Sequence, residues 1–180
     1  MIFMDMTLDK ILNVECSTYD FKASVEKKKT KSWLKSISAF ANTKGGSLFF
    51  GIDDSGNVIG LEHAQADAEF ISQEIKAHLD PIPEFELIPH KLEENVVLEV
   101  KVPEGRQTPY YYYLDGTRSA FMRIGNESVQ ASQHQLLSLV LKGTNSTFDA
   151  QKTSARRAEN SFTILANTFA SRVGQPFDEK

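Results

Sequence analysis

Ala39-Phe40-Ala41-Asn42-Thr43-Lys44-Gly45-Gly46-Ser47-Leu48-Phe49-Phe50-Gly51-Ile52-Asp53-Asp54-Ser55-Gly56 is the stretch that decides how this chain folds. It reads as the end of a helix, a Gly-Gly corner, a buried strand and a turn that carries two carboxylates. Gly45 and Gly46 tolerate the positive φ values that end a helix and reverse the chain. Leu48 to Ile52 is an apolar run of strand length, and Asp54-Ser55-Gly56 is turn chemistry.

Upstream, Tyr19 to Ala23 reads as a strand, with Tyr19 and Phe21 on one face and Asp20 and Lys22 on the other. Thr30 is the expected N-cap of a helix from Lys31 to Thr43. Its apolar residues Trp33, Leu34, Ile37, Phe40 and Ala41 recur at three- and four-residue spacing, so one face packs inward. Downstream, Gln65 to Leu79 is a second helix, stopped by Pro81 and Pro83. Phe85 to Leu92 and Val96 to Val102 form a hairpin, Tyr110 to Leu114 and Ala120 to Ile124 a second strand pair, and Ser132 to Leu141 a last helix. The fold class is α+β: a mixed, largely antiparallel sheet with helices packed on it.

Domain organisation follows from composition. Residues 1–142 form one domain, 143–155 a polar linker, and 156–180 the helical start of a truncated C-terminal region, whose apolar positions are Phe162, Leu165, Phe169 and Val173. An apolar content of 41% over 180 residues is enough for a core. No apolar run approaches the roughly 20 residues that span a bilayer, so no membrane partner is expected. The N-terminus has no secretory pattern, and a cytoplasmic location is the natural reading. Cys16 is the single cysteine, which excludes an intramolecular disulfide and a thiolate zinc cage. His63, His78, His90 and His134 show no ligand spacing, and no phosphate-binding Gly-Lys loop is present.

The formal net charge of −4 hides an asymmetry. Residues 1–44 hold eight Lys against five acids, and the remainder twelve Lys and Arg against nineteen acids. Lys22, Lys27, Lys28, Lys29, Lys31 and Lys35 cluster around the first strand and helix, where ammonium groups and helix N-terminal amides can both meet phosphate. The plainer alternative is a solvated charged face. Arg118 and Arg123 form a later basic group. Arg123, beside the Gly125-Asn126 turn, suits either a bidentate phosphate clamp or an ion pair with an acid on the sheet. Tyr110 to Tyr113 point alternately to both faces of a strand, so at least two pack inward or against a partner chain; the rest invite base stacking. A Tyr-rich edge strand also favours β-pairing and a two-fold homodimer.

The ordered set Phe40-Ala41-Asn42-Thr43, Gly45-Gly46, Leu48-Phe49-Phe50, Gly51-Ile52-Asp53-Asp54-Ser55-Gly56 and Ile59-Gly60 resembles the core signature of the Schlafen/AlbA_2 family. Its structural positions here are Asn42, Gly45, Gly46, Gly51, Gly56 and Gly60. Ala120-Phe121-Met122-Arg123-Ile124-Gly125-Asn126-Glu127-Ser128 resembles a later family segment, to which Gly125 belongs. The resemblance covers roughly residues 12 to 142. It implies a DNA- or RNA-binding domain of a transcriptional regulator, holding nucleic acid mainly through phosphate contacts.

The same resemblance carries a second implication. Glu15-Cys16-Ser17-Thr18-Tyr19-Asp20-Phe21-Lys22 is similar to an entry motif from which some Schlafen relatives take two Glu. With an Asp of the later Gly-Val-Asp-Asp stretch, these cleave tRNA or rRNA using a divalent metal. Glu15, Asp20 and Asp54 would then be catalytic, and Glu15, Asp20, Asp53 and Asp54 the ligands of Mg²⁺ or Mn²⁺. Asp20 stands where the family has Glu, which shortens the reach. A strict strand would also set Glu15 and Asp20 on opposite faces unless the chain bends at Cys16-Ser17. The alternative reading makes these acids surface charges and turn formers, Asp54 especially. A protein-interaction module is the third reading.

Overall fold

The computed structural model describes residues 17–114, 116–144, 167–168 and 170–172. The chain divides into two compact units, Met1–Ser146 and Thr147–Lys180. In the second unit, described residues 167–168 and 170–172 are helical. Most of the expected linker and of the expected C-terminal helix lies outside the described residues, as do Glu15 and Cys16.

The first unit is α+β. Its elements are β1 (Tyr19–Lys22), α1 (Lys31–Asn42), β2 (Gly46–Phe50), α2 (Ala64–His78), β3 (Leu79–Asp80), β4 (Glu86–Leu92), β5 (Asn95–Val102), β6 (Tyr111–Leu114), β7 (Thr117–Ile124), β8 (Glu127–Gln130) and α3 (Gln133–Gly143). They build two four-stranded sheets, ordered β1-β2-β5-β4 and β3-β6-β7-β8. Among the described strands only the β1–β2 pair is parallel. The short strands β3 and β8 complete the second sheet and were not expected from the sequence.

β2, inside the first sheet, is buried on both faces. Leu48, Phe50, Leu98, Val100 and Val102 join the main core, while Phe21, Phe49, Ile52 and Val97 form a smaller cluster on the other side. Burial on both faces is why Leu48 to Ile52 reads as a continuous apolar run rather than an alternating one. Gly45 adopts φ +79°, and a Cβ there would stand 2.7 Å from the Val102 carbonyl oxygen. Gly46 is not left-handed; it is needed because a Cβ would overlap the Phe40 ring. The two glycines of the corner thus answer different constraints.

α1 packs against both sheets. Trp33, Leu34, Ile37, Phe40 and Ala41 are fully buried as the spacing requires, and Ser36, Ser38 and Asn42 are buried with them. Ser38 and Asn42 face the second sheet, and Ser36 sits between Asp20 of β1 and Ser128 of β8. Asn42 Nδ2 donates to the carbonyls of Tyr110 and Phe121, each at 2.9 Å, and its Oδ1 accepts from the Tyr110 N–H at 2.7 Å. Ser38 Oγ donates to the Tyr110 carbonyl at 2.8 Å and accepts from the Phe121 N–H at 3.2 Å.

Three local expectations need correction. Thr30 does not cap α1 through its side chain; at φ −57°, ψ −29° it is already helical, and its carbonyl accepts from Trp33 and Leu34. The loop enters instead through a turn in which the Lys29 N–H donates to the Glu26 carbonyl. The Tyr strand is not an edge, because β3 pairs with β6 through Leu79–Tyr112 and Asp80–Tyr111. The turn after β2 is organised by Asp53 rather than Asp54: Asp53 Oδ1 accepts from the Ser55 and Asn57 N–H groups at 2.9 and 2.8 Å. α3 starts within one residue of its expected position, and the structure adds a reciprocal Ser132–Gln135 capping box. No described helix is long and apolar enough to cross a membrane.

Asn42→Ala strips partners from the buried Tyr110 N–H and the Phe121 carbonyl. We expect a loss of about 3 kcal/mol of unfolding free energy by urea denaturation. Lys44→Ala, at an exposed position of the same corner, should stay within about 0.5 kcal/mol of wild type.

Candidate functional site

A cleft of about 690 Å³ opens where the end of β1, the first half of α1 and the β7–β8 turn meet. Asp20, Lys22, Ala23, Ser24 and Glu26 line one wall, Ser32, Lys35 and Ser36 the helix side, and Arg123, Asn126, Glu127 and Ser128 the turn side. Asp54 reaches it from the turn after β2. Residues far apart in sequence are assembled there: β1 and β2 run parallel and deliver Lys22 and Asp54 at the same end, while β7 brings Arg123 across α1.

A buried polar network forms the floor. Asp20 Oδ2 accepts from Ser36 Oγ at 2.5 Å and lies 3.5 Å from Arg123 Nη1; Asp20 Oδ1 accepts from Lys22 Nζ at 3.0 Å. The Arg123 side chain is only 3% exposed. Its Nη2 donates to the Tyr19 carbonyl at 2.7 Å and its Nη1 to Ser128 Oγ at 3.1 Å, while its guanidinium lies 5.1 Å from the Phe40 ring centre. Ser128 Oγ in turn donates to Ser36 Oγ at 3.2 Å. Arg123 thus ties β7 to β1 and to the root of the cleft. Burial pushes the Asp20 carboxyl up. The Lys22 ammonium, the Ser36 hydroxyl and the Arg123 guanidinium together outweigh burial, and its pKa falls below the ordinary value.

The other sequence-derived residues distribute unevenly. Lys35 lines the cleft without an ion-pair partner among the described residues. Lys31, one turn earlier on α1, lies over Tyr112 at 5.8 Å and borders Leu114, Thr117 and Ser119. Lys28 and Lys29 are exposed and likewise without a carboxylate partner among the described residues. Lys27 turns to α2, where its ammonium meets the buried Asp67 at 2.9 Å and Phe70 at 5.6 Å. Arg118 does not join the cleft. It alternates with Arg123 to the opposite face of β7, where it pairs with Asp80 at 2.7 Å.

Among the acids, Asp20 and Asp54 share the cleft, whereas Asp53 is held in its own turn. Asn57, by side chain and backbone, lowers the Asp53 pKa first and most. Glu15 lies outside the described residues. Asp20, Asp53 and Asp54 do not by themselves fit a divalent cation: the Asp20 oxygens are engaged by Ser36, Lys22 and Arg123. Among the described residues no three His, Cys, Asp or Glu side chains are placed to hold a metal. Glu26, Glu127 and the serines of the cleft escaped sequence reading. Ser32 and Ser36, one helical turn apart, were the available signal.

The Schlafen, AlbA_2 family model matches residues 15–132, well over half of the chain, and the chain belongs to this family. Among solved structures it is similar to the DIP2311 protein from Corynebacterium diphtheriae, at 20% identity and a TM-score of 0.54. That match covers 91% of this chain and 31% of the other, so the chain spans about a third of that protein. It is also similar to the N-terminal domain of a RecG-related protein from Nitrosomonas europaea, at 23% identity and a TM-score of 0.50, covering 64% of this chain and 84% of that one. At these identities the likeness shows the fold.

Because Asp20 is held below its ordinary pKa, its contribution to stability is present above the unfolded value of about 3.9 and is lost as pH falls through the lower folded value. In urea titrations carried into the acid range, wild type should lose stability across this window. Asp20→Asn should show a shallower acid limb and, with Arg123 left buried beside a neutral group, about 3 kcal/mol less stability at neutral pH. An unchanged acid limb would mean that Asp20 does not set it.

Proposed function

We propose that this chain is a nucleic-acid-binding domain that holds the phosphate backbone along the start of α1. The observation that carries this reading is the set Lys28, Lys29, Lys31 and Lys35, four ammonium groups around one helix start with no carboxylate partner among the described residues. No acid belongs to the first turn of α1 and Thr30 makes no side-chain cap; the Glu26 carboxylate accepts from Ser32 Oγ there and offsets part of the positive end of the helix dipole, so the lysines carry the attraction. The cleft alongside is of mixed charge, with Lys22 and Arg123 committed to Asp20. Phosphates therefore follow the lysine row rather than fill the cleft. The family membership and the name of the Nitrosomonas protein, which is RecG-related, support a nucleic-acid setting. We further propose, on the family resemblance, that the domain serves a transcriptional regulator.

The metal-dependent endoribonuclease is the second reading, favoured by the shared placement of Asp20 and Asp54 in one cleft. The engagement of Asp20 by two cations weighs against it. A two-fold dimer built on the Tyr strand has little edge to use, since β3 pairs with Tyr111 and Tyr112 and leaves only Tyr113 and Leu114 of β6 uncovered on that side.

Gel-shift titrations with duplex DNA and tRNA, at several salt concentrations, test the proposal. Contact by four lysines predicts a slope of log K against log salt of about −3 to −4 on duplex DNA. Each Lys→Gln change at 28, 29, 31 or 35 should reduce that slope by about 1. Salt-independent affinity would overturn the reading. Cleavage of tRNA with Mn²⁺ that disappears in Asp54→Ala would replace it with the nuclease.

A further inference from the structure

We infer that the β6–β7 hairpin carries a stacking site for single-stranded nucleic acid, in which a base lies on Tyr113 and the flanking phosphates meet Arg118 and Lys76. The inference rests on the nucleic-acid reading above and names a surface distinct from the lysine row of α1.

The four tyrosines do not share one fate. Tyr110 and Tyr112 are 5% and 3% exposed and belong to the main core. Tyr111 and Tyr113 alternate to the face turned away from α1. Core packing accounts for the first two rings and says nothing about the second two, where an ordinary solvent-facing strand would place polar residues. Tyr111 has a visible role, because the Arg118 guanidinium lies 4.4 Å from its ring centre. Tyr113 is 43% exposed and stands directly across from Arg118 in the hairpin register.

A hollow of about 430 Å³ lies beside Tyr113, bordered by Lys76, His78, Asp80, Ile82 and Arg118. Its chemistry suits a nucleotide: an open aromatic ring, an exposed Ile82, and two cationic heads at the margin. Two described acids of this region have partners. Asp80 pairs with Arg118, and Glu74 lies 3.4 Å from His78. The Arg118–Asp80 pair uses Nη2 alone and is exposed on both sides, so the other guanidinium N–H groups can meet a phosphate while Asp80 stays paired. His78 Nδ1, 3.0 Å from the Tyr113 carbonyl, fixes the backbone that presents the ring. A ring on a strand face receives a base only when that base is unstacked, which selects single strands over duplex.

Fluorescence anisotropy with the full chain compares a short labelled oligothymidine with an abasic oligomer of equal phosphate count. The intact oligomer should bind about fivefold tighter or better, the change expected from a single base–aromatic stack. Tyr113→Ala should abolish that difference and leave abasic binding unchanged, whereas Tyr113→Phe should keep it. Circular dichroism melting of both variants checks the fold, and the exposed ring predicts little change. Equal affinity for intact and abasic oligomers, both salt-sensitive, would overturn the stacking site and leave the lysine row standing. Absence of binding to either oligomer and to duplex would overturn both. If Tyr113→Ala instead preserves the intact-to-abasic ratio and dissolves a self-associated species in sedimentation, the hairpin is an interface between copies and the inference fails.

Discussion

The carboxamide of Asn42 is the constraint on which this domain depends. A helix packed against two sheets cannot be apolar all round, because one neighbour presents backbone groups that need partners. Asn42 spends both donors and its acceptor on Tyr110 and Phe121, and Ser38 one turn earlier doubles the connection. One side chain therefore fixes the height of α1 against β7 and sets the segment leading into β6 beside it. Two residues beyond Phe121 along the same face stands Arg123, so the geometry that satisfies Asn42 also delivers the guanidinium to Asp20. Packing and site placement share one cause.

The elements legible in the sequence were those whose signals are local. The apolar run Leu48 to Ile52, the turn between β4 and β5, and the helix that starts at Ser132 each announce themselves within a few residues. What was not legible depends on partners distant in the chain. Arg123 and Tyr19 are 104 residues apart, so neither strand could reveal that the guanidinium would be buried against the other. Strand β8, Glu127-Ser128-Val129-Gln130, is short and mostly polar, and is a strand only because β7 lies next to it. Asp53 and Asp54 carry equal turn propensity; Asn57, which donates a side-chain N–H to Asp53 Oδ2 at 2.9 Å, breaks the tie. The lysine run was visible at once, but not that Lys27 would leave it for Asp67.

Charge in the cleft illustrates how little a residue list says about potential. Four acids and three bases line it, yet Asp20 is already offset by Lys22 and Arg123. A buried ion pair of this kind is weak ground for stability and better understood as a lock on geometry. It holds β1, α1 and the β7–β8 turn as one wall. Family membership defines that scaffold, and activity belongs to the residues mounted on it.

The brevity of β3 has a consequence for behaviour in concentrated solution. By covering only Tyr111 and Tyr112, it leaves the outer rim of β6 open for two residues, and His78 occupies one carbonyl of that remnant. An open margin so short offers too few backbone partners to template growth by strand addition from another molecule. The tip of the hairpin can thus keep an aromatic ring in water without turning the domain into a seed for fibres.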